Sequence, residues 1–261
     1  GTAIVNLLQL QGGERITAAF PVTKEDEGEY LVMATRLGVI KKTELAEFDN
    51  IRRGGIIALG LRKDDELISV ELSCGNDEFM LATAKGKSIR FHENDVRSMG
   101  RVATGVRSIL LAHDDGVVAM AKVIPGSSVL TITENGMGKR TPEEAYRNQK
   151  RGGKGLIVMQ VNERTGDLCG LKMVNGDEDL LLIRDDGMVL RTPVAEISLH
   201  SGRGTQGVRL MRADEGTRIA GVAIAPPVSE EEDITKMEGR VHFDGEQDEI
   251  KPEGEGEQSE S

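Results

Sequence analysis

Aromatic side chains make up only 3% of the 261 residues, and Trp is absent. A core must therefore be built from Ile, Leu, Val, Met and Ala. Ligands that need aromatic stacking platforms, single-stranded nucleic acid among them, are disfavoured. Cysteine is scarce as well: Cys74 and Cys169 stand far apart, without metal-ligand spacing. Two isolated cysteines read as ordinary buried thiols of a reducing compartment. No apolar run is long enough to span a membrane, and the opening residues carry no signal-peptide pattern. The expectation is a cytoplasmic chain without a membrane partner. Also missing is any long 3.6-residue periodicity, which excludes a stack of helical pairs.

The formal charge of −11 is unevenly spread. Residues 228–261 hold 13 Asp/Glu against three Lys/Arg, whereas residues 1–227 hold 30 Lys/Arg against 31 Asp/Glu. The body is near neutral, so its sign pattern and not its sum decides what it can bind. The tail is poor in apolar residues and rich in Glu and Gly, a composition that predicts disorder. A segment of net −10 tethered to a basic surface would compete there with another polyanion.

What the chain has in abundance is self-similarity. Four segments align: EYLVMATRLGVIKKT from Glu29, EFMLATAKGKSIRF from Glu78, SVLTITENGMGKRT from Ser128 and DLLLIRDDGMVLRT from Asp179. Their turn glycines Gly38, Gly86, Gly136 and Gly187 are 48, 50 and 51 residues apart. Asn135-Gly136 and Asp186-Gly187 predict hairpins with type I′ turns. A polar stretch ending in Gly and basic residues follows each hairpin, and two more β-rich runs come after it. Four short strands per unit, repeated, predict an all-β fold of radially arranged blades. The expected units are a partial one over 1–26 and repeats over about 27–75, 76–126, 127–176 and 177–227, ahead of the acidic tail 228–261.

The sharpest motif is Gln149-Lys150-Arg151-Gly152-Gly153-Lys154-Gly155, three cations interleaved with three glycines. Glycine lets a backbone approach a phosphate and offer its N–H groups, while Lys and Arg neutralise phosphate charge and release counterions. Equivalent loops carry Arg52, Arg53, Arg97, Arg101, Arg147 and Arg203, with Arg107 and Arg209 just downstream. At the ends of the second strands stand Lys41, Lys42, Arg90, Lys139, Arg140 and Arg191. Cations recurring in register on a radial repeat predict a curved basic rim, which a duplex could follow only by bending.

Gln149 to Gly155 resembles the Q-[RK]-R-G-G-[RK]-G box of the C-terminal domain that gyrase A shares with its topoisomerase IV counterpart, and the repeats resemble the blades of that family. The resemblance covers essentially all of residues 1–227. It implies a β-pinwheel whose neighbouring blades exchange strands. It further implies duplex DNA wrapped with a right-handed sense, as part of ATP-driven negative supercoiling by the gyrase A and gyrase B proteins together. The box residues would then centre the wrap, the isolated domain would be a monomer without a cofactor, and ATP, Mg²⁺ and the catalytic Tyr would act elsewhere in the holoenzyme. In the family the box usually sits in the first blade, whereas here it lies in the third full repeat; the opening residues match only the second half of a unit, so one or more units are expected upstream. The intact box favours the gyrase branch. Alternatives are the topoisomerase IV equivalent, which positions DNA crossings without strong wrapping, and a propeller scaffold for protein partners.

Other motifs carry less. Gly202 to Gly207 matches G-x-G-x-x-G but leads into a β-like run, not a helix, so no dinucleotide site is expected. His92, His113, His200 and His242 lack ligand or triad spacing. Tyr30 sits at a strand start and Tyr146 in a loop, where packing roles fit better than catalysis.

Overall fold

Each of the four aligned segments forms a tight hairpin because its turn glycine takes up a left-handed conformation, with φ of 76° at Gly38, 72° at Gly86, 75° at Gly136 and 90° at Gly187. The turns differ from the expected type I′. Asn135 does not have positive φ, and Gly136 N–H donates to Thr133 O at 2.9 Å. The loop is thus a type I turn closed by a left-handed glycine, which spares the Asn a strained backbone. The computed structural model describes residues 14, 16–19, 29–50, 55–213 and 216–227. Arg52, Arg53, His242 and the acidic tail lie outside them.

The first repeat supplies β1 (Tyr30–Thr35), β2 (Val39–Glu44) and β3 (Leu67–Ser73). In the second are β4 (Glu78–Thr83), β5 (Lys87–His92), the two-residue β6 (Val106–Arg107) and β7 (Val117–Lys122). The third has β8 (Ser128–Thr133), β9 (Met137–Pro142), β10 (Leu156–Ile157) and β11 (Leu168–Val174). The fourth has β12 (Asp179–Arg184), β13 (Val189–Pro193), β14 (Val208–Arg209) and β15 (Ile219–Ala225). A short 3₁₀ turn follows the second hairpin strand of every repeat.

These strands make four antiparallel sheets, in the orders β3-β1-β2-β6, β7-β4-β5-β10, β11-β8-β9-β14 and β15-β12-β13. The outermost strand of each four-stranded blade comes from the next repeat: β6 pairs with β2 as Val39↔Arg107, and β14 pairs with β9 as Met137↔Arg209. Neighbouring blades therefore exchange strands, and the expected all-β pinwheel is what the chain forms. The loaned runs are shorter than their apolar sequence suggests. After two paired residues the chain turns inward, and Ile109 is buried between blades.

Successive side chains of a strand point to opposite faces, and on the hairpin strands of the first three blades both faces are covered. Phe79 and Leu81 of β4 pack with Val32, Ala34 and Ile40 of the first blade. Met80 and Ala82, one residue out of step, pack with Val129 and Met137 of the third. Leu130 and Ile132 of β8 then meet Leu180 and Leu182 of the fourth. Near-continuous burial along the first hairpin strands β1, β4 and β8 explains why they read as unbroken apolar and Thr runs. Tyr146 is buried in the second of these cores, in keeping with a packing role. Cys169 is half-buried, but Cys74 is exposed, contrary to the reading of both thiols as buried. Cys74 sits in the loop after β3, where its backbone N–H donates to Asp77.

Candidate nucleic-acid interface

The box loop 149–155 is docked on the second blade by hydrogen bonds from three directions. Gln149 N–H donates to Arg90 O at 2.8 Å, Gly152 N–H to Ser108 O at 2.6 Å, and Leu110 N–H to Gly153 O at 2.8 Å. Gly155 has φ +69°, and a Cβ there would stand 2.3 Å from Ser88 O. Only glycine lets β10 come this close to β5. Arg151 sends its guanidinium back into the loop's own support: Nε donates to Asp95 O at 2.7 Å and an Nη to Arg107 O at 3.1 Å. Lys150 and Lys154 remain exposed, as do Arg97, Arg107, Arg147 and Arg209. The box therefore divides its labour, with Arg151 as a strut and the two lysines offered to solvent.

Several expected rim cations are used inside the protein instead. Lys41 and Lys139 are fully buried. Lys41 Nζ donates to Ala58 O at 2.6 Å and to Arg101 O, and Lys139 Nζ donates to Gly202 O at 3.0 Å and to Arg203 O. Each ammonium pins the basic loop of the next repeat from beneath. Burial pushes both amines down to about 8, with help from Arg101 and Arg203 respectively. One residue further on, a cation latches its blade in every repeat. Lys42 pairs with Glu93 at 3.3 Å, and Arg90 bonds Glu143 while pairing with Glu78 at 2.6 Å. Arg140 Nε donates to Ile197 O at 2.7 Å, and Arg191 Nε reaches Asp179 at 2.7 Å. These six side chains belong to blade assembly. Arg101 and Arg203 are half-buried.

Arg107, Arg151 and Arg209, together with Arg62, Lys85, Lys87, Arg164 and Arg212, which sequence reasoning missed, line a cleft that recurs at three blade junctions. Each cleft lies between a hairpin turn and the strand loaned to that hairpin. The first, about 630 Å³, is lined by Arg62, Arg107 and Arg151 beside Leu37. At the second junction Lys85 and Lys87 stand beside Ile157 in a cleft of about 380 Å³. The third holds Arg164, Arg209 and Arg212 beside Asn135 in about 420 Å³. Among the described residues no Asp or Glu lines any of the three. Repeat register could have flagged Lys85, because it occupies the turn position of Leu37 and Asn135. A central cavity of about 1090 Å³ between the starts of β3, β7, β11 and β15 has the opposite character. Glu66, Asp114, Asp115, Glu134 and Asp167 line it, with Arg36 as the one cation among the described residues. Charge is thus segregated, positive at the junction clefts and negative at the centre. No group of His, Cys, Asp or Glu among the described residues is arranged to hold a metal.

A family model described as DNA gyrase C-terminal domain, beta-propeller, matches residues 29–74, 77–124, 127–175 and 178–226. The chain belongs to this gyrase C-terminal domain family. The A subunit of DNA gyrase from Salmonella typhimurium is 46% identical over 256 residues, which are 98% of this chain and 29% of that protein. Its Escherichia coli counterpart is 44% identical over 254 residues, 97% of this chain and again 29% of its own length. The chain thus spans under a third of the relatives it matches, corresponding to their C-terminal β-propeller domain. Among solved structures, the C-terminal domain of DNA topoisomerase IV superposes with a TM-score of 0.81 at 22% identity, covering 93% of this chain and 76% of that one. A gyrase A C-terminal domain gives 0.77 at 24% identity, covering 86% and 75%. At these identities the likeness is one of fold. Among the described residues no helix is long and apolar enough to cross a membrane.

Proposed function

We propose that this chain binds duplex DNA along its basic junctions, bends it and wraps it with a right-handed sense. It would act as the C-terminal domain of a gyrase A protein during ATP-dependent negative supercoiling in the bacterial cytoplasm. The observation that supports this most is the charge segregation: clefts with no carboxylate among their described lining residues recur at the blade junctions of a body that is near neutral in sum, while the centre is acidic. A polyanion is attracted to the first and repelled by the second. Bending a short duplex costs roughly 1–6 kcal/mol, which several phosphate contacts offset. The box contributes Lys150 and Lys154 as contacts, and Arg151 holds them in place. No cofactor is needed for such work. ATP, Mg²⁺ and the tyrosine that cleaves DNA belong to the other domains of gyrase A and to gyrase B, the partners of this domain.

The test is to relax nicked circular DNA on the protein, ligate it and read the linking number on gels. Wild type is compared with Lys150→Ala/Lys154→Ala, leaving Arg151 intact so that the loop stays docked. The expected outcome is a positive linking-number shift in wild type, reduced at least about tenfold in effective protein concentration for the variant, the range for removing two charge-assisted hydrogen bonds. Binding without a shift would favour the topoisomerase IV mode of action. Failure to bind even at low salt would favour a scaffold for protein partners.

A further inference from the structure

Two Asn-Gly pairs occur in the chain, Asn135-Gly136 and Asn175-Gly176. Asn is a thermolabile residue, and a following Gly, lacking Cβ, leaves its own amide nitrogen open to attack the Asn side chain. The fold treats the two pairs in opposite ways. Asn135 is held: its Nδ2 donates to Glu163 O at 3.2 Å and to Arg164 O at 3.1 Å, while Gly136 N–H donates to Thr133 O at 2.9 Å. Both groups that would have to react are engaged elsewhere. Asn175 stands in the turn between β11 and β12, with its side chain exposed and, among the described residues, in no hydrogen bond. The amide beside it faces a carboxylate. Gly176 N–H donates to Glu178 Oε2 at 2.9 Å, and Asn175 N–H reaches the same oxygen at 3.1 Å. Partial burial opposes ionisation of Glu178, but these N–H donors outweigh it and hold the pKa below its ordinary value, so the acceptor is charged. An acceptor within about 2.6–3.2 Å of the group whose proton it takes meets the geometric condition for a general base. In the matching turn before β4, Cys74 holds the place of Asn175 and its N–H donates to Asp77 at 3.0 Å, so the acid recurs and the amide does not.

We propose that Asn175-Gly176 is a site of intramolecular deamidation with Glu178 as its base, and that the fold protects Asn135-Gly136 from the same reaction. Gly176 N attacks Asn175 Cγ as its proton passes to Glu178 Oε2. The N–Cγ bond forms, the Cγ–Nδ2 bond breaks, and Nδ2 takes the proton from Glu178 and leaves as ammonia. Water then adds to either carbonyl of the cyclic imide. Opening at Cγ gives Asp on an unaltered main chain, and opening at the main-chain carbonyl gives isoaspartate, with the chain running through Cγ. Neither step needs an oxidant or a reductant. Each event exchanges a neutral amide for a carboxylate, and it does so close to a joint between repeats. A Cβ on Gly176 would stand 3.3 Å from Arg140 Nη1, and Arg140 latches the fourth repeat through Ile197 O and Ala195 O. The site is independent of what the rim binds.

The experiment incubates the full chain near neutral pH, folded and in urea, and follows both pairs by peptide mass spectrometry, with isoaspartate read by enzymatic methylation. In the folded protein, conversion at Asn175 is expected to outpace that at Asn135 by at least about tenfold, because Asn135 must first break its hydrogen bonds. In urea, where neither pair is held, the difference is expected to shrink. Glu178→Gln keeps an oxygen acceptor but no base, and is expected to slow conversion at Asn175 by at least about tenfold without changing Asn135. Thermal melting confirms that this variant folds, and should it melt early the folded and urea rates of wild type still decide the selectivity. Asn175→Ser assigns the signal, since it has no amide to lose. Equal rates at the two pairs in the folded chain, or a ratio that urea leaves unchanged, would overturn protection by the fold. An undiminished rate in folded Glu178→Gln would overturn the role of Glu178, and no conversion at Asn175 would overturn the site itself.

Discussion

Lys139 holds its charge where water does not follow. Its side chain is buried, and its amine donates to Gly202 O and Arg203 O, with the pKa brought down to about 8 from 10.5 by burial first and by Arg203 second. A lowered pKa in the folded state means that, above about pH 8, the unfolded chain binds the proton that the folded chain has released. Stability contributed at this site therefore rises with pH until about 10.5, and below about 8 the buried charge is a cost. The equivalent position is Ile89 in the second repeat and Leu190 in the fourth, so Lys139→Leu is compatible with the strand. Urea unfolding at about pH 7.5 and about pH 10 is expected to show the wild-type advantage over this variant widening by about 2 kcal/mol. A gap that stays constant would place the amine in water. This is also where the sequence was least legible. A lysine near a strand end looks the same whether it reaches solvent or turns inward, and only the carbonyls contributed by a loop some 60 residues away decide the matter. Arg90 and Arg140 misled for the same reason, because their partners Glu143 and Ile197 lie in the next repeat.

At the scale of the element, the loaned strand is the joint on which the blades depend. Gly105, Gly155 and Gly207 stand just before β6, β10 and β14, with φ of 99°, 69° and 72°. An added Cβ would come within 2.6 Å of Ile40 O, 2.3 Å of Ser88 O and 2.4 Å of Gly138 O, respectively. The matching residue of the first repeat, Gly55, has φ 75° but, among the described residues, nothing within 4 Å of such a Cβ. The pair separates backbone strain from steric collision. Gly55→Ala is expected to cost only the left-handed conformation, about 1–2 kcal/mol. Gly155→Ala adds a collision with backbone and is expected to cost at least about 3 kcal/mol, lifting β10 and the box loop from β5. Thermal or denaturant unfolding ranks the two, and equal losses would mean that strand loan tolerates the wider spacing. The hairpins were readable because turn glycine and apolar run lie within a dozen residues of each other. The loan was legible only through the family resemblance, since a two-residue strand such as Val106–Arg107 takes its partner from tertiary register and leaves no periodicity of its own.

For the molecule as a whole, summed charge is a poor guide and its distribution a good one. The total of −11 is almost entirely the work of residues 228–261, at net −10, which lie outside the described residues. The remaining body is near neutral in sum, and five carboxylates line its central cavity while cations line the junction clefts. A covalently attached polyanion is present at an effective concentration on the order of millimolar, set by its tether. Its field extends about 30 Å at 0.01 M salt and about 8 Å at 0.15 M. Deleting residues 228–261 is therefore expected to raise duplex affinity severalfold at low salt and by much less near physiological salt, as read by fluorescence anisotropy. A gain of equal size at both salts would mean that the segment acts by something other than charge. No gain at either would leave it the role of keeping the protein soluble, and the affinity of the body would then be set by its clefts alone.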